Sequence, residues 1–566
     1  MFGKKIKLLG QKYLVFNLLC LIFLASSWSL LNFSFFRTHD YVHGVRIVEM
    51  QQALADGHFP VRWSKDLGFG LGMPLFEFYG PLPYYVGSLF YFLGFNLIWS
   101  TKFLFLIANL GTLIGAYLLG KEFFKNNKLA GLITSAAITL APYRAVNLFI
   151  RGALGEAWGI MAMPWILYFL LKKNYLALTL SLVVLLLSHN LSTLMFLPFS
   201  LLVVIFLAAR HVVRLKKAIT AYVLAIGLSS FYLLPAFLEK NFTQIDTILS
   251  GYFYYSHHFL YIRQFFLPHW GYGGSAWGPN DEISFFLGWG QLLGLLITLM
   301  AFSPIIGENI WSVLRRQKFQ ISEAKQVGKF LLILFLFVSS LFFSIMKSKW
   351  LWDSLPLLNF IQFPWRFISV GLIFLGLLVA YPLILIKKKM FKLVYIWAIF
   401  LVLILGNFAY FRPEKFSRDM ASLYYADVEK IRYGMSDVLR DYVPIQMDLD
   451  GEKLKTLHRD FVFPEHTEIL INKTQQKLYK FNLNEEQIIE FPVAYFPGWQ
   501  VEIDGKRIGS QASEKTGLLS ASIPAGEHTV GIYFARTPIR QVADMISTIA
   551  LIILVARYIV RLNKLE

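Results

Sequence analysis

A chain of 566 residues that is 56% apolar and 17% aromatic has too few polar side chains to cover a soluble globule of that size. A bilayer must solvate the excess. The formal net charge of +19 does not mark a nucleic-acid binder, because Lys and Arg stand between hydrophobic runs rather than in a stripe. The single cysteine, Cys20, lies inside the first apolar run and excludes an intramolecular disulfide or a thiolate zinc site.

In chain order, a basic start (Lys4, Lys5, Lys7, Lys12) leads into an apolar run that reaches Phe36. That run is longer than the core of a cleaved signal peptide, so it reads as a retained anchor in a bacterial cytoplasmic membrane, N-terminus inside. Twelve apolar runs fit as crossings: 12–36, 101–120, 128–143, 158–172, 174–188, 191–209, 217–237, 285–304, 329–347, 366–386, 391–411 and 541–560. This threading puts the clusters at Lys121/Lys125/Lys128, Lys172/Lys173, Arg210/Arg214, Arg315/Arg316/Lys318 and Lys387–Lys389 on the cytoplasmic side. Residues 81–99 are apolar but would invert every later loop if they crossed, so they are expected as a re-entrant or interfacial helix. The expected fold is an all-α polytopic membrane protein with about 12–13 transmembrane helices and a C-terminal extracytoplasmic β-rich domain. Its domains are 1–411, 412–540 and a final span with tail, 541–566.

Four pieces then lie outside: loops 37–80, 144–157 and 238–284, and the region 412–540. The last ends in strand-like alternation (Trp499, Val501, Ile503), an Asp504-Gly505 turn and a further strand from His528 to Phe534, which predicts a small β-sandwich. Ionisable residues gather at the outer span ends, where burial is costly without a partner or a function. A helix over Arg37–Arg46 would put Asp40, His39 and His43 on one face with Arg46 a turn later, a set suited to a general base beside an anion. A polar cap where the chain leaves the lipid explains the same residues. Arg144, Arg151 and Glu156 follow in the second loop, where Arg151 and Glu156 can also simply pair; His189 and Arg366 stand at further span ends.

The motifs G-x-G-x-P-x-F-x-F-Y-G-P (Gly70–Pro81), R-G-A-x-x-E (Arg151–Glu156), S-H-N (Ser188–Asn190), Q-F-P-W-R-F (Gln362–Phe367), D-Y-V-P (Asp441–Pro444) and F-P-G-W-x-V-x-I-D-G (Phe496–Gly505) run through the chain in this order. With an Asp just past the first span, the chain resembles the bacterial membrane proteins labelled "6-pyruvoyl-tetrahydropterin synthase-related" and, more distantly, the YfhO-like membrane proteins. Both look like members of the GT-C superfamily of polytopic glycosyltransferases. The label is not an activity, since the compact zinc-binding histidine set of soluble pterin synthases is missing from the sequence.

The resemblance implies a sugar donor linked to polyprenyl phosphate and a glycan, lipid or protein acceptor in cell-envelope assembly. It implies Asp40 as base or metal ligand, aided by His39 or His43, and Glu156 as the second acidic position. Arg46, Arg144, Arg151, His189 and Arg366 would hold the substrate. A divalent cation such as Mg or Mn is compatible with the pattern, but His39-Asp40 stands where many members carry paired acids, which favours base catalysis. A transporter or flippase for lipid-linked saccharides would use the same charges without chemistry, and a non-catalytic assembly protein would use the external domain. Protease added outside intact spheroplasts is expected to cut within 412–540 and to spare 312–328; the opposite pattern would invert the threading.

Overall fold

The computed structural model describes residues 2–314, 321–417, 430–432, 435, 437–447 and 450–563; Arg315, Arg316 and Lys318 lie outside these. Among the described residues eight helices are long and apolar enough to cross a membrane, from Tyr13–Leu31 to Pro538–Val560. Two bent pairs, Lys128–Thr139 with Pro142–Ile150 and Leu215–Leu228 with Ser230–Leu238, pass the same test together, and two shorter apolar helices cover Tyr175–Ser188 and Trp289–Ser303. Every apolar run of the sequence is thus helical. The protein is a multi-pass membrane protein.

Pro364–Leu385 is the axis of the bundle, with 89% of its most apolar stretch buried, against 11% for Pro538–Val560 on the periphery. A helix that is apolar all round beyond Arg366 in its first turn suits the first position, and a lipid-facing one suits the second. The two broken spans depart from the straight helices expected. The first bends by 51° ahead of Pro142, whose missing N–H and ring break the hydrogen-bond ladder; the second bends by 70° at Ser229-Ser230. Residues 82–92 form a helix of 11 residues, about 16 Å long at the usual rise, too short to cross. Lys172 pairs with Glu122 at 3.2 Å, Lys329 lies over Phe123 and beside Lys125, and Arg210 packs on Gly328. Several basic clusters therefore meet at one end of the bundle.

A C-terminal antiparallel β region covers 468–534. With β1 (Phe35–Phe36) and β2 (Phe416–Ser417) paired to each other, the remaining strands are β3 (Glu468–Asn472), β4 (Gln476–Leu483), β5 (Gln487–Ala494), β6 (Trp499–Ile503), β7 (Lys506–Ile508), β8 (Gln511–Ala512), β9 (Leu518–Ile523) and β10 (Gly526–Phe534). They form two sheets, ordered β3-β4-β10-β6-β7 and β5-β9-β8. Tyr479 and Phe481 of one sheet meet Phe491 of the other, with ring centroids 5.8 and 6.3 Å apart, as in a sandwich. Val501 pairs with Ile508 around the Asp504-Gly505 turn, both of whose residues have positive φ as a two-residue hairpin requires. Trp499 is not a free platform for sugar rings. It is 4% exposed and packs edge-on against Trp63 at 5.3 Å, because the β region rests on the first loop.

The strongest tie in this contact is ionic. Arg540, in the first turn of the last helix, lies 3.0 Å from Glu77 and 2.8 Å from Glu239, all three almost fully buried. Burial raises the Glu77 carboxyl well above its usual range, and the Arg540 guanidinium offsets part of that cost. Arg540→Met should cost about 3–5 kcal/mol of unfolding free energy in detergent, and adding Glu77→Leu and Glu239→Leu should recover most of it, because the loss comes from uncompensated buried charge.

Candidate active site

The first loop does not run as a helix from Arg37. His39 N–H donates to Ile150 O at 2.9 Å and Asp40 N–H to Arg151 O at 2.8 Å, so residues 38–40 lie extended along the end of the first bent span; the helix starts at His43. The receiving segment, Val146–Ile150, is a π-turn in which Arg151 N–H reaches back to Val146 O at 2.9 Å. That wider turn makes most of 144–157 helical and shrinks the expected loop to 151–153. Gly152 follows with φ +63, and a Cβ there would stand 2.4 Å from Thr38 Oγ1, so glycine is what lets the two segments touch.

A cavity of about 660 Å³ opens beside this junction, and among its lining residues are His39, Asp40, Arg46, Arg151, Glu156, His189 and Arg366. Seven of the nine site residues expected from sequence thus share one space. The other two do not reach it. Arg144 is fully buried inside the bundle, with Nη2 donating to Asn109 Oδ1 at 3.2 Å. His43 is 2% exposed; its Nε2–H donates to Gly152 O at 2.5 Å and its Nδ1 accepts from Tyr84 O–H at 3.0 Å. Burial lowers its pKa, and with both nitrogens engaged it holds the junction together rather than serving as a helper base.

Asp40 has the opposite character. Its side chain is 30% exposed, Arg46 stands 3.8 Å and the His43 ring Nε2 3.6 Å from it, and among the described residues no donor reaches its carboxylate at hydrogen-bond distance. Arg46 is held by Tyr84 O–H at 2.9 Å and lies over the Tyr79 ring at 3.9 Å, so its charge stays beside the cavity. Glu156 is fully committed: Arg151 Nη1 donates to it at 2.6 Å, Tyr143 O–H at 2.9 Å and Asn147 at 3.3 Å, with Arg366 Nε 3.9 Å away. It fixes two arginines rather than accepting a substrate proton. His189 breaks the chain between two helices and caps the second, its Nδ1 accepting Ser192 N–H at 3.1 Å, and burial pushes its pKa down to about 3. Among the described residues no three His, Cys, Asp or Glu side chains converge on a point.

Two contributors carried no signal of their own in the sequence. Gln362 lies in the cavity with φ +63 and ψ −45, a strained γ-turn closed by Phe363 N–H to Ile361 O at 2.6 Å. The turn puts Ile361 O at 2.9 Å and Gln362 Oε1 at 3.3 Å from the same nitrogen of Arg366, Nη1. Asp441 comes from the D-Y-V-P motif. Tyr442 stacks on Phe78 at 6.5 Å, and Gln244 N–H and Ile445 N–H bond Val443 O and Phe242 O at 3.0 and 2.9 Å, which brings Asp441 into the cavity near Arg46 and Asp40. Burial raises its carboxyl to about 6.

No family model matches this chain. It is similar to an uncharacterized protein of Lactococcus lactis subsp. cremoris (strain MG1363), 26% identical over 277 residues; the match covers 45% of this chain and 43% of that protein's length.

An arginine-lined cavity with one carboxyl that loses its charge in mild acid makes a pH prediction. Sulfate keeps its charge in this range, so its protection against thermal unfolding should strengthen as pH falls from about 7 to about 5, where Asp441 becomes neutral and stops repelling the anion. Asp441→Asn should remove most of that dependence and bind sulfate at about pH 7 as the parent does near 5.

Proposed function

We propose that the chain is a membrane glycosyltransferase that takes a sugar from a polyprenyl-phosphate carrier, at the outer face of the membrane, and adds it to an envelope glycan or glycolipid. What supports this reading is one juxtaposition: an unengaged carboxylate, Asp40, in a cavity that also holds the guanidinium groups of Arg46, Arg151 and Arg366. Several motifs that give the chain its GT-C resemblance meet at that cavity. In the step proposed, Asp40 takes the proton of the acceptor hydroxyl as its oxygen bonds to the anomeric carbon. The bond from that carbon to the phosphate oxygen breaks, its electron pair leaves with the lipid phosphate, and Arg151 and Arg366 stabilise the charge. Displacement from the opposite side inverts the anomeric centre.

A lipid-linked-saccharide transporter is the competing reading, and the two broken spans favour it, since interrupted helices line transport sites. The two readings part at Asp40. Asp40→Asn should reduce sugar transfer in membrane vesicles by a factor of about 10² to 10⁴ while the variant accumulates normally in the membrane. Undiminished transfer would remove Asp40 as the base. Translocation of carrier without sugar transfer, in parent and variant alike, would favour the transporter. Full activity in excess chelator would dispose of an essential divalent cation.

A further inference from the structure

A second cavity, larger than the first at about 1070 Å³, lies on the other side of the extended segment that carries Asp40. His39 and Ile283 line both spaces, so the two lie next to each other across His39. The ring is exposed, and its Nε2–H donates to Tyr272 O at 2.8 Å, which leaves Nδ1 as a bare acceptor at the junction. Asp281 serves the loop itself: it accepts from Gln264 Nε2 at 2.7 Å and Ala276 N–H at 2.8 Å. The other charged groups of this cavity are exposed and of both signs: Arg37 and Arg263 against Glu282 and Glu414, with Asn280 between.

We infer that this second cavity binds an oligosaccharide, the acceptor chain of the proposed transfer. Its lining rejects the alternatives on chemical grounds. A lipid tail needs a continuous apolar wall, and carboxylates and guanidiniums interrupt this one. A polyphosphate or strongly anionic chain would be repelled by Glu282 and Glu414. Sugar hydroxyls are both donors and acceptors; they donate to the two carboxylates and accept from the two arginines and the Asn280 amide, while the half-exposed Tyr272 ring offers a stacking face. The volume is at the upper end for ligand cavities, enough for several sugar units rather than one. A chain seated here reaches the first cavity past His39, so its terminal hydroxyl arrives at Asp40 while the rest stays in the mixed-charge cleft. The word "acceptor" rests on the glycosyltransferase reading; glycan binding does not.

Site-specific photocrosslinking in intact membranes tests the two separately. The photoreactive p-azidophenylalanine would replace Asn280 at the second cavity, Thr247 at the first, or Lys506 on the β region as a control. The expected result is a periodate-sensitive carbohydrate adduct at position 280, several-fold above the control and at least tenfold weaker when Glu282→Gln and Glu414→Gln are combined with it. Sulfate protection at the first cavity should be unchanged by that pair. Lipid or protein adducts at 280, or none above the control, would overturn the inference. Carbohydrate at 280 in a protein that transfers no sugar would sink the enzyme reading and leave the glycan site standing.

Discussion

Two guanidinium groups can stand together at the wall of the cavity because Glu156 is buried beside them. Its carboxylate accepts Arg151 at 2.6 Å, faces Arg366 at 3.9 Å, and is fixed in turn by Tyr143 and Asn147. Without that charge the two arginines would repel each other in a medium that screens poorly, and one would have to leave. The arrangement still leaves positive charge over: one carboxylate offsets one arginine, and the remainder faces the cavity. Arg366 is held from behind by Ile361 O and Gln362 Oε1, Arg46 by Tyr84, and Arg151 lies 4.7 Å above the Trp365 ring. Each cation is oriented before any ligand arrives, so little side-chain entropy remains to be lost on binding an anion.

The cavity is also an assembly of distant segments. Asp40 is set by backbone bonds to residues 150 and 151, Asp441 by the stacking of Tyr442 on Phe78, and His189 by a helix break. The motif Gly70–Pro81 links several of these parts. Phe78 O accepts from Asn190 and from Tyr232, Tyr79 carries Arg46, and Glu77 meets Arg540. Gly80 lies against Ser188 O so closely that a Cβ would collide at 2.3 Å. A motif that looks like an aromatic loop in the sequence is the hub on which the loops, the helices and the β region are mutually aligned.

How much of this could be read in advance follows from range. Apolar runs report burial along one helix, so the helical regions were legible, although among the described residues eight to ten candidate spans stand where about 12–13 were expected. The alternation around Asp504-Gly505 reports a hairpin because both cues are local. Clustering of Asp40, Arg151, Glu156, His189 and Arg366 was legible through the cost of ionisable groups at span ends. His43 was misassigned because sequence spacing cannot tell a face toward solvent from one toward Gly152 and Tyr84. The partner of Trp499 was hidden for the same reason: Trp63 is more than four hundred residues away in the chain. Gln362 and Asp441 had no individual signal, because a γ-turn and a segment docked by an aromatic stack are products of tertiary contact. The bends at Pro142 and Ser229 have local causes, but hydropathy runs straight through them.

The ionic trio of Arg540, Glu77 and Glu239 bears on how the protein is made. Translation proceeds from the N-terminus, so both glutamates are synthesised and placed long before the arginine that neutralises them. Until the last helix arrives, the two carboxyls lie close together without the cation that pairs them. Completion of the chain coincides with that pairing. An intermediate stalled before Pro538 therefore differs electrostatically from the finished molecule.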